Sequence, residues 1–116
     1  MDKRIATFAE FWPFYLSQHR NALNRRLHFV GTTGTNLAIL WALISMHPLM
    51  LLLAPLSGYG FAWVGHFIVE KNRPATFTYP LWSLAGDYKM YGLTLMGKLD
   101  SELARTGVTA TPAGAA

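Results

Sequence analysis

The sequence predicts an all-α integral membrane protein: a hairpin of two transmembrane helices flanked by two amphipathic interfacial helices. Three observations carry this. Residues 27–69 are 43 consecutive positions without Asp, Glu, Lys or Arg, about twice the ~20 residues that cross a bilayer once. His47-Pro48 divides that run, because proline removes a backbone donor and turns the preceding residue away from helical geometry. All ten Lys and Arg residues lie outside the run and none lies in the turn, which places both termini on the cytoplasmic side.

The elements follow in order. Phe8, Phe11, Trp12, Tyr15 and Leu16 share a helical face and predict an interfacial helix, bent or started at Pro13. No uninterrupted apolar run follows Lys3-Arg4 before Glu10, so this segment does not read as a signal peptide. Residues 27–46 form the first span and 49–69 the second. Pro55, Gly58, Gly60 and Gly65 weaken the second as a soluble helix but are tolerated in a bilayer, and predict a kink. After a loop at Asn72-Arg73-Pro74, Phe77, Leu81, Leu84, Tyr88, Tyr91, Leu95 and Leu99 recur at helical spacing. Asp87, Lys89 and Lys98 fall off that face, so this helix is expected to lie on the membrane.

Length and composition fit one domain over residues 1–105 with a small polar tail, 106–116, expected to be disordered. Charged residues make up 14% of the chain, against about 25% in soluble domains. Without cysteine there is no disulfide framework, no thiolate-held metal and no thiol nucleophile. The basic balance, pI about 9.7, suits anionic lipid headgroups. No basic run interleaved with aromatics points to nucleic acid. Membrane lipids are the expected partners, and a homo-oligomer is left open.

Polar groups inside apolar spans tend to mark function. His28 opens the first span and His66 nearly closes the second, so antiparallel crossing puts both at the cytoplasmic end. His47 lies 19 residues from His28, about 28 Å along a helix axis, and is read as a turn residue. Gly31, Gly34, Ala38 and Ala42 form a small-residue strip on one span, and Ala54, Gly58 and Ala62 lead to His66 and Glu70 on the other. Such strips bring helices close. Tyr15/His19, Asn24/His28 and His66/Glu70 are pairs one turn apart. Three histidines and a carboxylate suit Fe(II), Zn or Mn, and two histidines with a carboxylate resemble non-haem iron sites. Taken singly, a histidine near a helix end is more often an interfacial or hydrogen-bonded residue. Asn24 serves equally well as a helix cap, and Glu70 as a partner of Lys71 or Arg73.

Two motifs add a resemblance. Residues 15–28 (YLSQHRNALNRRLH) contain His-x4-Asn-x3-His, and residues 65–75 (GHFIVEKNRPA) contain Gly-His-x3-Glu-x2-Arg-Pro-Ala. In this order around a hairpin they resemble the family of small membrane proteins typified by the fungal 2-hydroxy fatty acid dioxygenase of phytosphingosine breakdown. The resemblance implies an Fe(II)-dependent α-oxidation that removes one carbon from a 2-hydroxy fatty acid, with a fatty acyl substrate. It implies His19, His28 and His66 as iron ligands, Glu70 as a fourth ligand or orienting group, Asn24 supporting the cofactor site and Arg73 meeting the substrate carboxylate. The fungal enzyme has further spans between the motifs. Here 37 residues separate His28 from His66, so the chain resembles a shortened branch. Two rival readings are a haem protein with His28 and His66 as axial ligands, and a non-catalytic membrane adaptor.

Overall fold

The computed structural model describes residues 5–110. Residues 1–4 and 111–116, which include Lys3, Arg4 and most of the expected tail, lie outside the described residues. Among the described residues the fold is all-α, built from α1 (Phe8–Ser17), α2 (Ala22–Ser45), α3 (Leu53–Trp63), α4 (Pro80–Leu95) and α5 (Leu99–Arg105). A 3-10 turn at Pro48–Leu52 leads into α3 and a π-helical stretch, Val64–Glu70, continues it. The continuous helical segments Ala22–Ser45 and Pro48–Glu70 are both long and apolar enough to cross a membrane.

Local chemistry explains the boundaries. Thr7 caps α1 by accepting from the Glu10 amide at 3.2 Å, and Pro13 sits inside the helix rather than starting it. Asn21 caps α2 through the Leu23 amide at 2.8 Å, so Asn24 falls one turn inside and is not the cap. Met46, in the left-handed region at φ 57, closes α2 immediately before the His47-Pro48 break. Irregularity in the second span sits at its two ends, and Pro55 falls in the first turn of α3, where no intrahelical donor is needed.

The two long helices pack through their small residues. A Cβ on Gly31 would meet Phe61 Cβ and the Ser57 carbonyl at 3.0 Å, and one on Gly58 would meet Thr35 Oγ1 at 2.8 Å. Backbones this close let Thr35 donate to the Ala54 carbonyl at 2.7 Å and Ser57 to the Gly31 carbonyl at 3.1 Å. The outward row, including Leu37, Leu43, Ile44, Leu52 and Leu56, is exposed, as expected of a surface whose surroundings are lipid.

The flanking helices differ from expectation in what their faces meet. The aromatic face of α1 is not at a surface: Phe11, Trp12, Tyr15 and Leu16 are buried in a core with Ala75, Met90, Leu99 and Leu103. On α4 the inward face is Ser83, Gly86 and Met90, whereas Leu81, Leu84, Tyr88 and Leu95 are exposed. Asp87, expected on the solvent side, turns inward and accepts a hydrogen bond from Tyr15 Oη. The reason is close packing. A Cβ on Gly86 would lie 2.9 Å from the Tyr15 ring, so α1 approaches α4 where Asp87 can receive the phenol. Tyr91 pairs with Thr33 at 2.9 Å and Tyr88 donates to Asn36 at 2.6 Å, pinning α4 along α2. The helix does not run on to Leu99: Gly97 at φ +68 breaks it, and α5 folds back so that Trp12 Nε1 donates to Glu102 at 2.6 Å.

Candidate metal centre

Three elements deliver one histidine each to the same buried point. His19 follows α1, and its ring stacks on Tyr15 with centroids 4.1 Å apart. His28 lies two turns into α2. His66 sits in the π-helical stretch, a geometry that shifts side chains off the ordinary helical face and recurs at functional sites. All three are at most 4% exposed, and their ligand nitrogens lie within 4.8 Å of one another.

The hydrogen bonds fix which nitrogen faces inward. His19 Nδ1 is 2.6 Å from the Tyr15 carbonyl, His28 Nδ1 is 3.0 Å from the Asn24 carbonyl, and His66 Nδ1 is 2.7 Å from Asn72 Oδ1. Each of these oxygens accepts, so each Nδ1 carries the proton and each Nε2 keeps its lone pair. His19 Nε2 and His28 Nε2 face one another at 3.1 Å. Two buried lone pairs in that position repel unless a cation lies against them. Nitrogens held about 2.1 Å from one ion are roughly 3.0–3.4 Å apart, so the donor set fits a divalent metal. Burial, followed by the neighbouring His28 and His66 rings, pushes His19 well below the usual histidine range, which keeps it in the neutral, ligating form.

Asn72 escaped the sequence reading. Lys71, left-handed at φ 59, ends the π stretch, and this turn lets the Asn72 amide donate to the His66 carbonyl at 2.8 Å while its side chain receives the His66 ring. Its Nδ2 also donates to the Gln18 carbonyl at 3.1 Å, tying His66 to the segment that carries His19. An Asn immediately before Arg-Pro, six residues after a candidate ligand, was the available signal, but nothing in the spacing distinguished it from an ordinary loop residue.

The other candidates are placed as follows. Glu70 accepts from the Asn21 backbone amide, because a π-helical turn moves the residue four positions on away from the His66 face. Among the described residues it lies outside the histidine group, and it clips the end of the second span to the start of the first. Asn24 is fully buried. It supports His28 through its carbonyl, while its amide side chain occupies the space a Cβ on Gly65 would need and finds no hydrogen-bond partner among the described residues. Arg73 is exposed, 5.3 Å over the Phe77 ring, and lines a surface cavity with Phe14 and Gln18 rather than the histidine cavity. His47 is exposed at the far end.

The cavity at the histidines is also lined by Tyr59, Ser83 and Asp87. Burial raises the Asp87 carboxyl to about 6, with the Tyr15 hydrogen bond opposing the rise, and pushes the Tyr15 phenol well above its usual value. The phenol therefore stays protonated and donates.

No curated protein and no solved structure matches this chain. A family model, described as 2-hydroxy-palmitic acid dioxygenase Mpo1-like, matches residues 5–99, a stretch that holds both histidine motifs and the helices α1 to α4 that carry or close over the histidines. By that match the chain belongs to the Mpo1-like family.

Proposed function

We propose that this protein is a membrane-embedded Fe(II)-dependent dioxygenase acting on 2-hydroxy fatty acids, which it shortens by one carbon. The observation that carries the reading is the set of three buried histidines, each anchored through Nδ1 to an oxygen, with Nε2 atoms turned toward one another. The family description supplies the reaction class. When bound, the metal supplies activation of dioxygen beside the hydroxy acid.

The chain's own residues do the remaining work. His19, His28 and His66 hold the ion. Tyr15, Asn24 and Asn72 fix the tautomers, and Glu70 orients the site by fastening the π stretch to Asn21. Burial by α1 and α4 keeps bulk water from the reacting groups. Arg73 lies over Phe77 at the surface, apart from the histidine cavity. The basic flanks support an orientation with this end of the hairpin and both termini on the cytoplasmic side, with the outward apolar rows against lipid.

The histidine packing disfavours haem. The His28 and His66 ring centroids are 4.9 Å apart and the His19 ring lies 4.5 Å from His66, which leaves no room for a porphyrin between two axial rings.

The test is metal analysis and turnover on purified protein. Iron should copurify or rebind, with no Soret band, and 2-hydroxypalmitate should lose one carbon in an O2-dependent reaction. His19→Ala, His28→Ala and His66→Ala should each strip iron and abolish turnover, whereas His47→Ala should change neither. Iron retained after His28→Ala with His66→Ala would refute the site. Iron bound as expected without turnover would refute the dioxygenase and leave the metal centre.

A further inference from the structure

The histidine cavity does not end at the histidines. A second cavity of about 90 Å3 shares His28, Tyr59, Ala62 and Asp87 with it, so the two adjoin between α3 and α4. Their two ends differ in chemistry. At the histidine end, Ser83 is 3% exposed and its Oγ has no hydrogen-bond partner among the described residues. A buried hydroxyl left unpaired is costly, and such groups in native proteins call for an explanation. At the far end two of the lining hydroxyls are spent within the protein. Thr35 Oγ1 is given to the Ala54 carbonyl and Tyr88 Oη to Asn36, and Gly58, Ala62 and Leu84 add apolar surface to the same space. Leu84, the residue after Ser83, is 51% exposed at the mouth, on the side of α4 that carries its other exposed apolar residues.

We propose that α4 forms the acid-binding wall of this protein: Ser83 Oγ hydrogen-bonds the polar head of a single-chain 2-hydroxy acid, and the first carbons of its chain lie in the groove bounded by Gly58 and Leu84. The inference rests on the metal-site reading above, since that reading places the reacting end of the substrate at the histidines. Two tyrosines pin α4 to α2, Tyr91 to Thr33 and Tyr88 to Asn36, and so hold this wall in place. A cavity of roughly 150 Å3 takes up a six-carbon ring, so the enclosed part of this one holds only a few carbons. The rest of the chain continues past Leu84 into lipid, and the protein reads the head and first carbons rather than the full chain length.

Two variants separate the two ends, with affinity measured by scintillation proximity on immobilised protein, using 2-hydroxypalmitate and the short 2-hydroxybutyrate. Ser83→Ala removes an unpaired hydroxyl. It should melt at or above the wild-type temperature while binding both acids about tenfold more weakly. Leu84→Trp, at an exposed position that folding tolerates, should narrow the mouth and weaken 2-hydroxypalmitate roughly tenfold while leaving 2-hydroxybutyrate unchanged.

Unchanged affinity in Ser83→Ala, or weakened affinity together with a lowered melting temperature, would overturn the role of the hydroxyl. Unchanged 2-hydroxypalmitate binding in Leu84→Trp would overturn the groove. Iron content and turnover are measured on the same preparations. The binding pattern without turnover defeats the oxidation reading alone, and turnover with wild-type binding in both variants defeats the wall alone.

Discussion

Asn72→Ala isolates the support given to one histidine without touching a ligand. Asn72 makes two side-chain hydrogen bonds, accepting from His66 Nδ1 at 2.7 Å and donating to the Gln18 carbonyl at 3.1 Å. Its amide bond to the His66 carbonyl at 2.8 Å is backbone and survives the substitution. Loss of the acceptor frees the His66 ring to rotate and lets the proton move to Nε2, which removes the lone pair a metal needs. Losing an outer-shell partner of this kind costs about 10–100-fold in metal affinity, equivalent to ~1.4–2.7 kcal/mol. Asn72→Asp keeps an acceptor for Nδ1 and adds negative charge behind the ring, so it should bind metal as tightly as the wild type or more tightly, although it loses the donor to Gln18. The assay is competition of Co(II) or Fe(II) against a chromophoric chelator, with circular dichroism to confirm helix content. Equal affinities for wild type and Asn72→Ala, or equal losses in the Ala and Asp variants, would refute the claim that Asn72 acts through the His66 ring.

Other expectations follow from the same geometry. Gly65→Ala drives a Cβ into the Asn24 side chain; overpacking of this kind costs about 1–3 kcal/mol and should displace His28, so a lower melting temperature with reduced metal occupancy is expected, and an unperturbed variant would exclude the close contact. Asp87 has its pKa raised from 3.8 to about 6, so folding favours its protonated form, and its contribution, full below about pH 4, is lost as pH rises through 6. Asp87→Asn should therefore gain stability relative to wild type above pH 6, by an order of 1–3 kcal/mol, with the difference shrinking toward pH 4 in melts across that range; a difference that grows on acidification would contradict the assignment. Reporter fusions should place both termini in the cytoplasm, and a C-terminal fusion read on the far side would mean that α4 crosses the membrane.

The helical hairpin was legible because its causes are local. A charge-free run of 43 residues and a proline after His47 state length and break directly, and small residues at helical spacing show where two backbones can approach. The same locality made His28 and His66 readable as neighbours, since antiparallel spans of equal length bring their outer ends together. His19 was readable only as one turn from Tyr15 and as a third histidine near the same end, and the motif resemblance alone made it a ligand, because no periodicity links a loop residue to two helix ends.

Tertiary structure decided the rest. Whether the aromatic face of α1 meets lipid or α4, and whether Asp87 meets water or Tyr15, depends on which surface a helix finds. Amphipathic spacing gives a helix two faces without saying which one the neighbour takes. Glu70 reads as the partner of His66 on an α-helix, but Val64–Glu70 winds as a π-helix and its carboxylate is taken by the Asn21 amide. The sequence by itself determined that two long apolar helices meet at the His47-Pro48 break and the kind of donor gathered at their outer ends, although the first helix starts at Ala22, five residues ahead of the charge-free run. Side-chain direction, the proton on each ring and the wall that α4 builds over the histidines arise only when three separate segments meet, because each is set by a partner distant in the chain.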